Sequence, residues 1–341
     1  VTTDRPRGAF GAALLLAVAT LAGCASGGGN AVLTPPPKPT PTPTIVPVQP
    51  QVVYTAIGAS DAVGYGASKP CTTVSPPTGA ADPTCLGITG TGYVPLLARR
   101  LQTAGDVVTL DDLGISGAVL GPDILATVNA YGSLSSATPC VPPNDYPTDF
   151  LTAELPKVSA ASTLVTIFAG GNDTIGLINA VGCGAGGTTL LQQVAYLDTQ
   201  IAAFGSDLAK LVGGIKKTAP KAKIVIANLP NFALIPVGLQ QTAAAQQGLA
   251  YLSTQLDAQV INPLAATGVA VVDLLCNPAS YVATNFYTDG FHPNDAGYAV
   301  FEAGFYAQIS AAAPVAPAAT CSYATAQARL RQPISGPLRH I

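Results

Sequence analysis

Five short apolar runs rich in β-branched residues recur along the chain: Val52–Ile57, Val107–Leu113, Thr163–Phe168, Lys223–Ala227 and Val269–Leu274. None alternates apolar with polar residues, and turn-forming or small residues bound each one, so they read as parallel strands buried on both faces. Between the third and fourth runs, Leu190, Val194, Leu197, Ile201, Phe204, Leu208, Leu211 and Ile215 step by three or four; Leu249, Leu252, Leu256 and Val260 do the same after the fourth run. Tyr298, Phe301, Phe305 and Ile309 repeat the spacing after Pro293. Each set makes one apolar helix face. Alternating strands and helices predict a three-layer α/β/α sandwich around a mostly parallel, five-stranded sheet. Ligands of such sheets bind beyond the carboxyl ends of the strands, near the switch in strand order. The residues that directly follow each run are therefore the ones to inspect.

The chain outside these runs reads differently. Arg5 and Arg7 precede an apolar stretch from Phe10 to Leu21 and then Leu21-Ala22-Gly23-Cys24, the pattern of a secretory signal. The stretch is shorter than the ~20 apolar residues a membrane span needs. Its end resembles a bacterial lipobox, which implies that Cys24 becomes the lipidated first residue of an exported bacterial lipoprotein, anchored at the cell surface or in the periplasm. Valine at position 1 reads as a start codon translated literally. Residues 25–50 form a Pro/Thr/Gly-rich linker that cannot build a core and should act as an extended spacer. Residues 51–321 read as one domain, and 322–341 as a loose C-terminal tail.

Of seven cysteines, six remain beyond Cys24: Cys71, Cys85, Cys140, Cys183, Cys276 and Cys321. An even number in an exported chain predicts disulfides, and pairing of neighbours (Cys71–Cys85, Cys140–Cys183, Cys276–Cys321) is the expectation. There is no C-x-x-C pair and almost no histidine, which argues against zinc. Only 10% of residues are charged and the net charge is −3, so the chain carries no basic footprint for nucleic acid.

The two histidines limit the chemistry further: His340 lies one residue from the C-terminus, and His292 follows Asp289 in Asp289-Gly290-Phe291-His292. A histidine base in this protein is His292, with Asp289 placed to orient it. After the first run comes Gly58-Ala59-Ser60-Asp61, after the second Gly114-Ile115-Ser116-Gly117, and after the third Gly170-Gly171-Asn172-Asp173. A serine nucleophile needs a base, a group that holds the base, and donors aimed at the developing oxyanion. Ser60, His292 and Asp289 fill the first three roles. The backbone N–H groups of Ser60 and Gly117 and the Asn172 amide fill the last. Each residue alone has a plainer reading: a turn serine or helix cap, a loop glycine, an Asx-turn asparagine, a structural histidine. Ser116 also sits in a near miss to a nucleophile elbow, and Asp61, Asp173 and Asp295 read as capping or turn carboxylates.

Together the four segments resemble the four sequence blocks of the SGNH, or GDSL-type, serine esterase superfamily, over Gln51 to Ile309. That resemblance implies the SGNH hydrolase fold and carboxylic ester hydrolysis through a Ser60–His292–Asp289 triad and an acyl-enzyme. The oxyanion hole would be formed by Ser60, Gly117 and Asn172, with no metal or organic cofactor. The substrate would be a small-molecule or lipid ester; a carbohydrate O-deacetylase, or a surface lipoprotein that binds without turnover, are the alternatives. One departure stands out: the usual Gly-Asp-Ser-Leu reads Gly58-Ala59-Ser60-Asp61 here. The loops Gly66–Thr91 and Ala118–Pro156 are expected to wall the site. Phe286, Tyr287 and Phe291 beside the histidine lean toward an acyl chain over a sugar. The oligomeric state is left open.

Overall fold

The five runs pair into one all-parallel sheet in the computed structural model, which describes residues 49–71, 89–131, 140, 146–325 and 329–338. The strands are β1 (Gln51–Gly58), β2 (Val107–Asp112), β3 (Leu164–Phe168), β4 (Lys223–Ala227) and β5 (Ala270–Val272), in the order β2-β1-β3-β4-β5. Tyr54 of β1 lies opposite Leu110 of β2 and Leu164 of β3. The order reverses at β1, which places the switch point at its carboxyl end. β3 is buried along its whole length, and β4 after its first residue. β2, expected to be buried on both faces, departs from that pattern. It is an edge strand and leaves Val107 40% exposed, because it has a neighbour on one side only.

Among the described residues, the helices that flank the sheet or lead from it include α1 (Ser60–Val63), α2 (Tyr93–Thr103), α3 (Pro122–Tyr131), α4 (Phe150–Ala153), α5 (Gly171–Gly182), α6 (Leu190–Thr218), α7 (Pro236–Leu239), α8 (Ala243–Leu256) and α9 (Asp295–Ser310). α6 starts where Thr189 and Gln192 form a reciprocal capping box, which satisfies two orphan N–H groups at the helix start. It then buries Leu197, Ile201, Phe204, Leu208, Leu211 and Ile215, the stripe its spacing predicts. α9 is capped by Asn294, whose side chain accepts from the N–H groups of Ala296 and Gly297. It buries Tyr298, Phe301 and Phe305. α2 packs on β2 and α9, and α9 on β4 and β5; α3, α5, α6 and α8 pack on one another as the opposite layer. The result is the three-layer sandwich with a parallel five-stranded sheet.

Two stretches differ from expectation. The segment Ala118–Pro156, read as a loop, contains α3 and α4; Ile124 and Val128 of α3 are buried, as is Phe150 of α4, so apolar side chains too sparse to show a period still fold onto the core. The tail, read as loose, is docked between residues 329 and 338. Leu330 and Ile334 are buried. The Gln193 amide donates to the Ile334 carbonyl and accepts from the Ile334 N–H, so the tail's backbone finds partners together with its apolar side chains. The bridges Cys140–Cys183 and Cys276–Cys321 form, with Cα atoms 5.2 and 5.7 Å apart. The expected Cys71–Cys85 pair includes Cys85, which lies outside the described residues, as does Cys24. Among the described residues, no helix is long and apolar enough to cross a membrane.

Candidate active site

β1 delivers Ser60 to the carboxyl edge of the sheet through a tight turn. A Cβ on Gly58 would lie 3.1 Å from the Phe168 carbonyl oxygen and 3.0 Å from the Ala62 Cβ, so strand and turn approach closely there. Ser60 then opens α1, a single turn closed by Gly64 in the left-handed region at φ 74°, where glycine is favoured. Ser60 is 3% exposed. Its turn is held from behind by Glu154, whose Oε2 accepts from the Gly58 N–H at 3.0 Å. Burial pushes the Glu154 carboxyl well above its ordinary value.

The Asp289–His292 turn folds on itself. Asp289 Oδ1 accepts from the N–H groups of Phe291 (2.9 Å) and His292 (3.0 Å), an Asx-type turn. Gly290 takes φ 70°, and its carbonyl accepts from the Val237 N–H. That wrap brings Asp289 Oδ2 to 2.7 Å from His292 Nδ1. The other ring nitrogen, Nε2, lies 2.8 Å from Ser60 Oγ. With both nitrogens engaged, Ser116 has no claim on this histidine. The ring is flanked by Tyr65, with centroids 4.3 Å apart, and by the edge of Phe291 at 4.8 Å. Burial alone would raise the Asp289 pKa. Hydrogen bonds and attraction from His292, with the two backbone N–H groups, outweigh it and hold the carboxylate below its usual range.

The three expected oxyanion donors differ in their surroundings. Gly117 takes φ 81°, and Asn172 sits buried in the first turn of α5. Asn172 Nδ2 donates to the Ala118 carbonyl at 2.8 Å; this orients the amide, and its second hydrogen remains available. Among the described residues, the N–H groups of Ser60 and Gly117 meet no acceptor. Buried acids fix the loops around them. Asp112 Oδ1 accepts from the Gly114 N–H and Asp173 Oδ1 from the Leu120 N–H, each at 3.0 Å. Burial pushes both carboxyls up to about 7. Asp173 thus tethers the Gly117 loop while also accepting from its own N–H in the first turn of α5. Asp295 binds Ser68 and Thr91, tying the start of α9 to the segment that follows α1. The sequence reading did not single out Glu154, Asp112 or Tyr65; only Asp112, directly at the end of a run, had a position that could have drawn notice.

Asp61 lies in the first turn of α1, where its carboxylate accepts from its own N–H, in keeping with the turn role expected of it. It lines a pocket with Phe168, Phe232, Phe286, Phe291 and Phe301. Burial pushes Asp61 up to about 6, with the attraction of His292 and a bond from its own N–H pulling the other way. Among the described residues, no three His, Cys, Asp or Glu side chains group as a metal site.

The model of the GDSL-like lipase/acylhydrolase family matches residues 56–300, a span that contains all four segments of the site. The chain is similar in structure to an extracellular lipase from Streptomyces rimosus (18% identity, covering 75% of this chain and 99% of that one, TM-score 0.46). It is also similar to phospholipase A1 from Streptomyces albidoflavus NA297 (19%, covering 75% and 96%, TM-score 0.44). A third likeness is to an acetyl xylan esterase from Geobacillus stearothermophilus (15%, covering 80% and 99%, TM-score 0.44). No curated protein matches in sequence. The family match runs from β1, just before Ser60, into α9, just past His292, and on that span the chain belongs to the GDSL-like lipase/acylhydrolase family.

Proposed function

We propose that this protein hydrolyses carboxylic esters through Ser60, His292 and Asp289. The observation that carries the reading is the continuous contact from Asp289 Oδ2 to His292 Nδ1 and from His292 Nε2 to Ser60 Oγ. Ser60 Oγ attacks the ester carbonyl as His292 takes its proton. The carbonyl electrons move onto oxygen, which faces the N–H groups of Ser60 and Gly117 and the free hydrogen of the Asn172 amide. The intermediate collapses, the acyl–oxygen bond breaks, and His292 gives the proton to the leaving alkoxide. A water molecule, deprotonated by His292, then frees the acid and restores Ser60. Asp289 holds the ring in the tautomer with the proton on Nδ1 and stabilises the imidazolium. The test is labelling by a fluorophosphonate probe together with turnover of p-nitrophenyl acetate. Both should vanish in Ser60→Ala, and undiminished turnover in that variant would sink the assignment.

The N-terminal pattern supports a location. We infer that residues 1–23 are removed and Cys24, the new first residue, is acylated, that 25–50 spaces the enzyme from a membrane, and that the hydrolase occupies 51–321. Metabolic labelling with an alkyne fatty acid should mark the wild-type chain and not Cys24→Ser; equal labelling of both would refute acylation at Cys24.

A further inference from the structure

The pocket beside the relay joins two features that do not suit the same simple ligand. Its walls carry five phenylalanines, Phe168, Phe232, Phe286, Phe291 and Phe301, yet Asp61 also faces it. Among the described residues, Asp61 forms no ion pair with a lysine or arginine. A second polar group is stranded nearby: Ser280, a lining residue 5% exposed, has its hydroxyl without a hydrogen-bond partner. An alkyl chain in this pocket would strip water from the Asp61 carboxylate and return nothing, a costly way to bury a charge. A sugar would face far too few polar partners for its hydroxyls. An ammonium group fits both features, because its charge pairs with the carboxylate and its surface lies against the negative faces of aromatic rings.

The pocket is also placed to act on the reaction. Asp61 directly follows Ser60, and two other lining residues, Phe291 and Pro293, flank His292. Its walls therefore share backbone with the nucleophile and the base. A group seated there would lie against Asp61, Gly171, Phe291 and Pro293, the chain neighbours of Ser60, Asn172 and His292.

We propose that this pocket selects esters that carry an ammonium group close to the ester bond, with Asp61 pairing the cation inside a cage of phenylalanine rings. The proposal rests on the ester-hydrolase reading for its chemistry and on the pocket alone for its selectivity. It assigns a task to the departure from the family pattern at position 61, where an apolar residue would leave an ordinary hydrophobic pocket.

The decisive comparison uses isosteres that differ only in charge: acetylcholine against 3,3-dimethylbutyl acetate, with the cation on the alcohol side, and betaine ethyl ester against ethyl 3,3-dimethylbutanoate, with it on the acyl side. Intrinsic reactivity cancels when each wild-type ratio of kcat/KM is divided by the same ratio in Asp61→Leu and in the isosteric Asp61→Asn. In at least one pair the wild-type preference for the cationic ester should exceed that of Asp61→Leu by about tenfold, with Asp61→Asn in between. Unchanged ratios across all three proteins in both pairs would overturn the proposal. Choline titrated into Ser60→Ala by calorimetry gives a readout that needs no turnover: binding in Ser60→Ala and its loss in the Ser60→Ala/Asp61→Leu double variant support the pocket assignment, and no binding to Ser60→Ala counts against it. If p-nitrophenyl acetate and the fluorophosphonate both fail to react with folded wild-type protein, the hydrolase reading falls, while the choline titration still decides the pocket.

Discussion

Two carboxylates that interact with the same histidine, Asp289 through a hydrogen bond and Asp61 through charge, have opposite surroundings. Asp289 is held on every side, by the His292 ring and by two backbone N–H groups, and its charge is stabilised. Asp61 faces phenylalanine rings, and burial disfavours its charge. The relay is a polar network with its acceptors used, which is how a fold fixes a geometry for chemistry. Among the described residues the pocket gives Asp61 no lysine or arginine partner, which is a cost to folding and an opportunity for a ligand. The contrast matches the two tasks proposed for the site: bond making and breaking at the relay, and choice of substrate at the pocket.

The comparison can be broken most severely at the relay. Ser60→Ala and His292→Ala should each lower kcat on the order of 10⁴-fold or more, and the double variant should be little worse than either, since the two act as a unit. Fully additive losses in steady-state assays would show that they do not. Asp289→Asn keeps the shape and removes the charge, with an expected loss on the order of 10²- to 10⁴-fold, mostly in kcat. Asn172→Ala should cost on the order of 10²- to 10³-fold in kcat with KM nearly constant; a change confined to KM would make Asn172 a binding residue. Phe232→Ala, on the pocket side, should act in the other direction, raising KM for a bulky ester by roughly tenfold and moving kcat less.

The smallest effect concerns stability. Asp112 and Asp173 have folded pKa values raised to about 7, above the unfolded value of about 3.9. The folded state therefore binds more protons between those limits. The stability these groups contribute is complete below about pH 4 and declines as pH rises toward about 7. Tm should fall across that window. Asp112→Asn keeps an acceptor for the Gly114 N–H and removes the ionisation, so it should flatten the decline by on the order of 1 kcal/mol. An identical pH profile of Tm in the variant would show that Asp112 does not titrate in this way.

Much of this was legible beforehand because the signals are local. A buried strand shows itself as an uninterrupted apolar run, and α6 as a stripe of three and four; Asp289-x-x-His292 contains within four residues the spacing that its own Asx turn closes. Glu154 had no such signal, since it meets Gly58 across 96 positions. The tail was misread for the same reason: Ile334 finds its place through Gln193, 141 positions away.

The order of strands and helices along the chain, the scarcity of histidine and the set of candidate residues for the chemistry were all written in the sequence, because periodicity and residue type depend on neighbours along the chain. The packing of the layers settled what the chain alone could not: which acids lie buried behind the loops, and that Asp61 and five phenylalanines line one pocket. Those facts depend on distances between residues far apart in sequence, and burial, which sets the charge of every one of those acids, exists only once the layers have packed.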